Sequence, residues 1–281
     1  METIKDCMDS VYNQKNVLFE IIVVDNGSTD GSIEYLKSNY PAVKIISNNN
    51  NLGYSKANNQ GIAVAKGDYL LLLNSDALLT PDCMNRFLSS IKEDSQVGSV
   101  SGKVLRMNGS MNIIDSTGII LNRKKFSPAD RGEGETDVGQ YNNKEYIFGV
   151  SGAAAFYSRK MLENVRVNNE IFDEDFFAYY EDLDLAWRAQ IFGWKCLYIP
   201  DALIYHLRKG PKAQNRMVYI HSFKNRYLCY IKNDTRSNFL EYFPFNIGYE
   251  LLRCIKKFIL EPYLIWSVYL SFLSLPKMLK K

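Results

Sequence analysis

The sequence predicts an α/β fold in which a mostly parallel sheet is flanked by helices. Short apolar or β-branched runs alternate with helix-forming segments along the first third of the chain, an order that pairs strands in parallel and places helices on both faces. The run YLLLL at 69–73 is continuous and apolar, as expected of a strand buried on both faces. The apolar fraction of 46% and the charged fraction of 23% are typical of a folded globular protein.

The predicted elements follow one another in a regular order, separated by turn residues, glycines and prolines. Predicted strands occupy 20–24, 43–46, 69–73, 97–100 and 195–199, and predicted helices occupy 31–39, 58–65, 81–93 and 182–192. In parallel sheets, ligands bind beyond the carboxyl ends of the strands. Because Asp25 and Asn74 to Asp76 lie at two such ends, we expect a binding site there.

Composition narrows the class of protein. The formal charge of +3 is too small to indicate a nucleic-acid partner. The five cysteines form no C-x-x-C pair, which predicts reduced thiols in a cytoplasmic protein. Residues 1–10 are polar and acidic, whereas a signal peptide is basic and then apolar.

The C-terminal region contains an apolar stretch at 263–275. As a helix it would be about 20 Å long, shorter than the hydrocarbon core of about 30 Å. One interpretation is a helix lying on an anionic membrane surface, and the other is a helix packed on the protein's own core. The first is favoured by the flanking lysines Lys256, Lys257, Lys277, Lys280 and Lys281. We therefore divide the chain into a domain at 1–235 and an amphipathic helical extension at 236–281, with peripheral contact at the inner face of the cell membrane.

Two polar strings follow predicted strands. In Asn74-Ser75-Asp76, a carboxylate on a rigid element supplies the hard oxygen ligand that Mg²⁺ or Mn²⁺ shares with substrate phosphates. The alternative is an Asx turn leading into Thr80-Pro81. The string DNGSTDGS at 25–32 offers Asp, Asn and Ser groups to ribose hydroxyls or base N–H groups. It is also consistent with an ordinary turn and helix N-cap.

A third string is acidic and begins a predicted helix. Asp182 falls in the first turn, where the helix N-terminus stabilises a carboxylate, while Glu181 and Asp184 oppose this by repulsion. Near aromatic residues, such a carboxylate can act as a general base towards a substrate hydroxyl. The alternative is an acidic N-cap. Asp184 and Arg188 are expected to form a surface pair, and His206 is structural unless other residues support a ligand role.

Taken in order, these strings resemble glycosyltransferase family 2, and within it the rhamnosyltransferase-like branch. The matching segments are VDNGSTDGS (24–32), NNNLGYSKANNQGI (49–62), LLLNSDALLTPD (71–82), RGEGETDVGQYNN (131–143), FGVSGAAAFYSRK (148–160), FDEDFFAYYEDLDLAWRAQIFGWKCLYIPDALIYH (172–206) and KNRYLCYIKN (224–233). The resemblance implies a GT-A, Rossmann-like fold and an inverting, metal-dependent transfer of a sugar from a nucleoside diphosphate. The implied acceptor is a saccharide or a lipid-linked saccharide in cell-surface polysaccharide synthesis, with Mg²⁺ or Mn²⁺ as cofactor.

The resemblance also implies roles for individual residues. Asp76 matches the second aspartate of the D-x-D motif and would bind the metal, His206 matches the histidine that completes the metal site, and Asp182 matches the catalytic base. The donor side is expected to consist of Asp25, Asn26, Ser28, Lys56, Asn74 and Asp76. The acceptor side is expected to consist of Glu181, Tyr180 and Trp194.

The resemblance favours dTDP-rhamnose as donor, although donors linked to UDP or GDP share the same strings. One departure bears on activity: family members begin with an additional strand, central in the sheet, which this sequence lacks. The alternative function is therefore a truncated, catalytically impaired GT-A-like remnant. A dinucleotide-dependent oxidoreductase is disfavoured because no G-x-G-x-x-G follows the first strand.

Overall fold

The computed structural model describes residues 2–107, 112–122, 127–208 and 216–278. The helices are α1 (Glu2–Tyr12), α2 (Ser32–Asn39), α3 (Tyr54–Val64), α4 (Cys83–Ile91), α5 (Arg159–Asn164), α6 (Glu181–Ile191), α7 (Arg216–Asn233), α8 (Arg236–Leu260) and α9 (Leu264–Met278). The strands are β1 (Ile22–Asp25), β2 (Lys44–Ser47), β3 (Tyr69–Leu73), β4 (Ala77–Leu79), β5 (Val97–Arg106), β6 (Ile114–Ser116), β7 (Ile119–Asn122), β8 (Ser127–Asp130), β9 (Glu145–Ile147), β10 (Ala154–Ser158) and β11 (Lys195–His206). A 3₁₀ turn, Glu174–Phe176, precedes α6.

The main sheet is mixed. Its strands run in the order β3-β10-β5-β11-β4, with β6 beside β5 and β9 beside β11. Strands β5 and β11 are parallel, whereas β10 lies antiparallel between β3 and β5, and β4 lies antiparallel to β11. The predicted α/β fold with a sheet between helices is confirmed. Mostly parallel pairing is wrong, because the chain makes a long excursion after β5 and enters β10 at the same edge at which β5 ends, so β10 runs antiparallel to β5 and β3.

A separate parallel pair, β1 and β2, belongs to a sheet of its own. A cavity of about 710 Å³ lies between β1 and β3 and is lined by both strands, α1 and α3. In the ranges that the structure describes, no strand lies in this space. The cavity also explains why β3 is only half-buried apart from Leu70, although its apolar run predicts burial on both faces.

The core lies on both faces of the main sheet. Phe156 of β10 stacks on Phe87 of α4 with ring centroids 5.3 Å apart. The next residue, Tyr157, points to the opposite face and packs with Leu185 of α6, as the alternation of side chains along a strand requires. Burying a side chain such as Phe87 contributes about 1.5–3 kcal/mol. This packing holds the strand ends in place.

The C-terminal region consists of α7, α8 and α9. Helix α9 packs on α7, where Leu264 is buried with Ile220 and Phe223. None of the described helices is both long and apolar enough to cross a membrane. Many large apolar side chains of α8 are exposed: Leu240, Phe243, Phe245, Ile247, Leu251, Leu252, Ile255, Ile259 and Leu260. Lys280 and Lys281, which favoured membrane contact, lie outside the described residues.

Candidate active site

The candidate site lies at the carboxyl edge of the main sheet, which is the side formed by the carboxyl ends of β3, β5 and β11. Strands β10 and β4 run the other way, so they begin at this edge. Just beyond β3, the Asn74 N–H donates to the Ala153 carbonyl at 3.0 Å. The register of β4 on β11 sets Ala77 opposite His206. Residues that are distant in sequence therefore converge here.

Asp76 and His206 form a close pair at this edge. Asp76 Oδ1 lies 3.3 Å from His206 Nε2, and the other ring nitrogen, Nδ1, lies 2.7 Å from Asp115 Oδ2. Burial alone would lower the pKa of His206, but the hydrogen bonds and charges of Asp115 and Asp76 outweigh it and raise the pKa to about 9. His206 is therefore protonated at neutral pH between two carboxylates.

Asp115 is a site residue that sequence reasoning missed. It is buried in β6 and also accepts hydrogen bonds from Arg106 Nε at 3.2 Å and Arg208 Nη1 at 2.9 Å. Burial would raise its pKa, but the hydrogen bonds from His206 and Arg208 lower the pKa to about 2. The sequence does carry a weak signal: Asp115 directly follows the pair Ile113-Ile114, and a carboxylate buried with such residues requires polar partners.

Asp182 lies in the first turn of α6, as predicted. Its Oδ2 accepts the Gly152 N–H at 3.2 Å, and its Oδ1 accepts the Leu183 N–H at 2.8 Å. Burial is the main cause that raises the pKa of Asp182, and these N–H groups partly oppose it. The Tyr54 hydroxyl donates to the Gly152 carbonyl at 2.9 Å, which ties this turn to α3. A positioned carboxylate with a raised pKa has the properties of a general base.

Glu181 and Tyr180 adjoin Asp182 at the start of α6. Burial, followed by the charge of Asp182, raises the pKa of the buried Glu181 well above its usual range. Burial raises the pKa of Tyr180 to about 12. Both pKa shifts favour the protonated, neutral form of these two residues.

The segment that leads into α6 has a strained backbone. Phe177 has φ 64° and ψ −64°, and the Ala178 N–H donates to the Phe176 carbonyl at 2.7 Å. This is a γ-turn with positive φ, which is rare. Tyr179 and Tyr180 follow with φ of 71° and 74°. Non-glycine residues in such regions cost on the order of 1–3 kcal/mol each and persist only where surrounding contacts hold them.

The predicted donor-side string forms a turn after β1. Asp25 accepts the N–H groups of Gly27 at 3.1 Å and Ser28 at 3.2 Å, and Asn26 Nδ2 donates to the Gly53 carbonyl at 3.0 Å. The string therefore forms the expected turn, but it supplies no side-chain N-cap, because the N-cap of α2 is Gly31. The side chain of Ser28 is exposed beside the turn. A site role for the same residues stays a prediction.

The remaining predicted residues fall in two places. Asn74 and Asn26 both line the cavity between β1 and β3, and exposed Lys56 on α3 lies with its Nζ 3.5 Å from Glu174 Oε2. The structure does not bring Trp194, which was predicted on the acceptor side, to the part of the site at His206. It precedes β11, whereas His206 ends that strand, and 12 residues of strand are roughly 36 Å long.

Asp76 and His206 have the chemistry to hold a divalent cation that is shared with a substrate. A carboxylate oxygen and an imidazole nitrogen are ligands that Mn²⁺ accepts, and the two atoms are 3.3 Å apart. Within the described ranges, no group of three or more His, Cys, Asp or Glu residues converges as a closed metal site. Few protein ligands are expected where phosphate oxygens complete the coordination.

Relatives in sequence include enzymes of polymer synthesis. The poly-β-1,6-N-acetyl-D-glucosamine synthase of Staphylococcus aureus (strain COL) is 26% identical over 214 residues, which are 73% of this chain and 47% of that protein. The synthase of Staphylococcus epidermidis is 25% identical over the same shares. The chain therefore spans about half the length of these relatives.

The chain also aligns with solved structures and matches a family model. The structure of GalNAc-T7 with UDP, GalNAc and Mn²⁺ aligns with a TM-score of 0.65 at 15% identity, covering 82% of this chain and 46% of that one. Residues 1–349 of S. aureus TarS align with a TM-score of 0.56 at 16% identity, covering 84% and 63%. These similarities establish the GT-A fold. The model of glycosyl transferase family 2 matches residues 1–166, more than half of the sequence, and the chain therefore belongs to glycosyl transferase family 2.

Proposed function

We propose that the chain catalyses inverting, metal-dependent transfer of a sugar from a nucleoside diphosphate to a saccharide or lipid-linked acceptor in cell-surface polysaccharide synthesis. The observation that carries the proposal is the geometry of one sheet edge. There the Asp76–His206 pair suits a cation with its diphosphate, and Asp182, held by two backbone N–H groups, suits proton transfer. Family membership supports the reaction class.

Asp182 takes the proton in the proposed reaction. The acceptor hydroxyl oxygen attacks the anomeric carbon while the bond from that carbon to the diphosphate oxygen breaks, and the hydroxyl proton passes to Asp182. Attack from the face opposite the diphosphate inverts the anomeric centre. Its raised pKa makes Asp182 a stronger base than an exposed aspartate. A positioned base of this kind contributes about 10²–10⁴ in rate.

Asp76 and His206 would hold Mg²⁺ or Mn²⁺, and the bound cation would supply neutralisation of the diphosphate charge. His206 must lose its proton to become a ligand, so cation binding is expected to release a proton. The turn after β1, with Asp25, Asn26 and Ser28, would contact the nucleoside. Residues assigned to the rest of the donor are Lys56 and Asn74, and those assigned to the acceptor are Glu181 and Tyr180.

The identity of the transferred sugar is a separate part of the proposal. The rhamnosyltransferase-like strings favour dTDP-rhamnose, whereas the name of the S. aureus relative points to an N-acetylglucosamine polymer. A panel of dTDP-rhamnose, UDP-N-acetylglucosamine, UDP-N-acetylgalactosamine and GDP-mannose with Mn²⁺, assayed for released nucleoside diphosphate, tests it. Release from one donor, lost with EDTA and with Asp76→Asn, is expected. If Asp76→Asn released the nucleoside diphosphate as fast as the wild type, the metal assignment would be contradicted.

The cavity between β1 and β3 favours a second candidate function, a GT-A-like protein with impaired donor binding. Asn26 and Asn74, assigned to the donor, lie on this cavity. In the part of the chain that the structure describes, β1 pairs with β2 and β3 pairs with β10, and no strand pairs with their cavity-facing edges. Open strand edges beside apolar surface disfavour a rigid donor site. Calorimetric titration of the same donors with Mn²⁺ separates the candidates: saturable binding supports the transferase, and no binding of any donor supports the impaired protein.

We also propose that α8 makes peripheral contact with the cytoplasmic face of the membrane. Part of the predicted apolar stretch packs on the protein itself, since Leu264 of α9 is buried against α7. Exposed Leu240, Ile247 and Leu251 instead share one side of α8. Flotation with anionic vesicles is expected to recover the wild type and not Leu251→Glu. Equal recovery of both proteins would contradict this assignment.

A further inference from the structure

The string KNRYLCYIKN (224–233) matches the family but carries no role so far. It forms the second half of α7, and four of its polar side chains are buried: Lys224, Asn225, Arg226 and Asn233. Charged and amide side chains normally face water, so their burial indicates specific partners. Several of these partners lie in the segment 173–184, which carries Asp182.

Asn225 contacts the strained part of that segment. Its Nδ2 lies 2.7, 2.9 and 2.8 Å from the carbonyl oxygens of Phe176, Ala178 and Tyr179. The amide has two N–H hydrogens, so three oxygens share them. Asn225 is completely buried, and water is therefore not at hand to replace these hydrogen bonds.

The neighbours of Asn225 on α7 hold both ends of the segment. Lys232 Nζ lies 2.8 Å from Asp173 Oδ2 and 3.0 Å from Asp184 Oδ1. Asn233 Nδ2 donates to the same Asp184 oxygen at 2.8 Å. The Asp184–Arg188 pair, expected on the surface, is buried, because α7 covers this side of α6. The ends are thus fixed by charge. In the middle of the segment, the Ser55 N–H donates to the Phe177 carbonyl at 3.1 Å, and Asn225 holds the carbonyl groups on either side of it.

The middle of the segment determines where Asp182 lies. Phe177, Tyr179 and Tyr180 adopt positive φ, and without the contacts of Asn225 the backbone is expected to relax towards ordinary conformations. Asp182 follows Tyr180 by two residues, and its 3.2 Å hydrogen bond from Gly152 depends on where α6 begins. A displacement of about 1 Å at a reacting group can reduce turnover about 100-fold.

We propose that Asn225 is a positioning residue, which holds the segment 176–180 so that Asp182 faces Gly152 and the acceptor. The inference rests on the proposed function, because it takes Asp182 as the base. In the described part of the chain, the hydrogen-bond partners of Asn225 include neither the proposed metal ligands nor the donor-side turn. Its loss should therefore affect turnover more than donor binding.

The test compares Asn225→Ala with Asn246→Ala. Asn246 is also buried, but it lies on α8, and neither of its side-chain polar atoms has a hydrogen-bond partner in the described chain. For Asn225→Ala with Mn²⁺ and the active donor, we expect kcat to fall about 10–100-fold and donor Kd to stay within twofold. Amide hydrogen exchange across 176–183 is expected to accelerate. Asn246→Ala is expected to leave all three values unchanged.

Asn225→Leu provides a second variant of similar size that removes the donors and keeps the helix packed, and the same criteria apply to it. Wild-type kcat in either folded Asn225 variant overturns the proposal. It is also overturned if kcat and donor affinity fall together by equal factors, or if Asn246→Ala shows the same changes. Wild-type turnover in Asp182→Asn would instead sink the proposed base, so the two failures are distinguishable.

Discussion

Replacement of Asp182 by asparagine removes the proton acceptor and preserves the shape of the side chain. The carboxylate accepts N–H groups from Gly152 and Leu183. A carboxamide keeps an oxygen for one of them and turns its NH₂ group towards the other, so one backbone N–H loses its acceptor, at a cost of about 1–3 kcal/mol. Removing a buried charge offsets part of this cost. We therefore expect the variant to fold, with a free energy of unfolding within ~2 kcal/mol of the wild type.

The effect of Asp182→Asn on turnover is expected to be much larger than its effect on stability. The loss of a positioned base lowers kcat by about 10²–10⁴, or about 3–5 kcal/mol in activation free energy at 1.36 kcal/mol per tenfold. Donor affinity is expected to change little, because the proposed metal ligands Asp76 and His206 are unaltered. Initial rates of nucleoside diphosphate release give kcat, and calorimetry with Mn²⁺ gives donor Kd.

The control is Asp201→Asn, which alters an exposed carboxylate of β11 that lies 3.7 Å from Arg86. An exposed ion pair contributes about 0–1 kcal/mol, so this variant is expected to match the wild type in both stability and turnover. The reasoning is refuted if Asp182→Asn turns over within twofold of the wild type. It is also refuted if turnover and donor affinity fall equally, since the carboxylate would then act in binding.

Three further predictions follow from the same contacts. The pKa of Asp182 is raised above 3.8, the ordinary value for aspartate, and the base works only when deprotonated. In the pH–rate profile, kcat should therefore rise with pH and reach half its maximum above pH 3.8. A midpoint at or below that pH would contradict this prediction. His206→Ala should lower Mn²⁺ affinity at least about 10-fold by electron paramagnetic resonance titration, and unchanged affinity would exclude His206 as a ligand. Asp184→Asn weakens the buried pairs with Arg188 and Lys232 and should cost about 3–5 kcal/mol in urea unfolding; a loss below about 1 kcal/mol would show that these pairs are not structural.

Much of the local structure was predictable because it depends on residues close in the chain. The strand at 69–73 is found at the predicted positions, and the helix predicted at 81–93 is α4, Cys83–Ile91. Strand β10 was not predicted. Its sequence AAFYS begins with alanines, which are uncommon in strands. Its place between β3 and β5 comes from pairing with residues far away in sequence, and the sheet is mixed for this reason.

The burial of polar side chains between packed helices was equally hard to predict. The spacing of Asp184 and Arg188 describes one helix and predicts a surface pair, but it says nothing about which helix covers that face. The structure places α7 there, with Lys232 and Asn233 against Asp184. A polar pair on an isolated helix and a buried polar pair between helices have the same local pattern, and only the packing distinguishes them.

The sequence by itself determined the positions of β1, β2, β3, α2, α3 and α4, the polar turn that follows β1, and the acidic first turn of α6 that carries Asp182. These features depend on turn residues, periodicity and helix ends, all of which are local. The tertiary structure alone decided that Asp76 meets His206, that Asp115 holds the other side of that ring, and that Asn225 holds the segment before Asp182. Such contacts depend on strand register and helix packing. A slip of one residue would turn each side chain to the opposite face, and no local pattern specifies that choice.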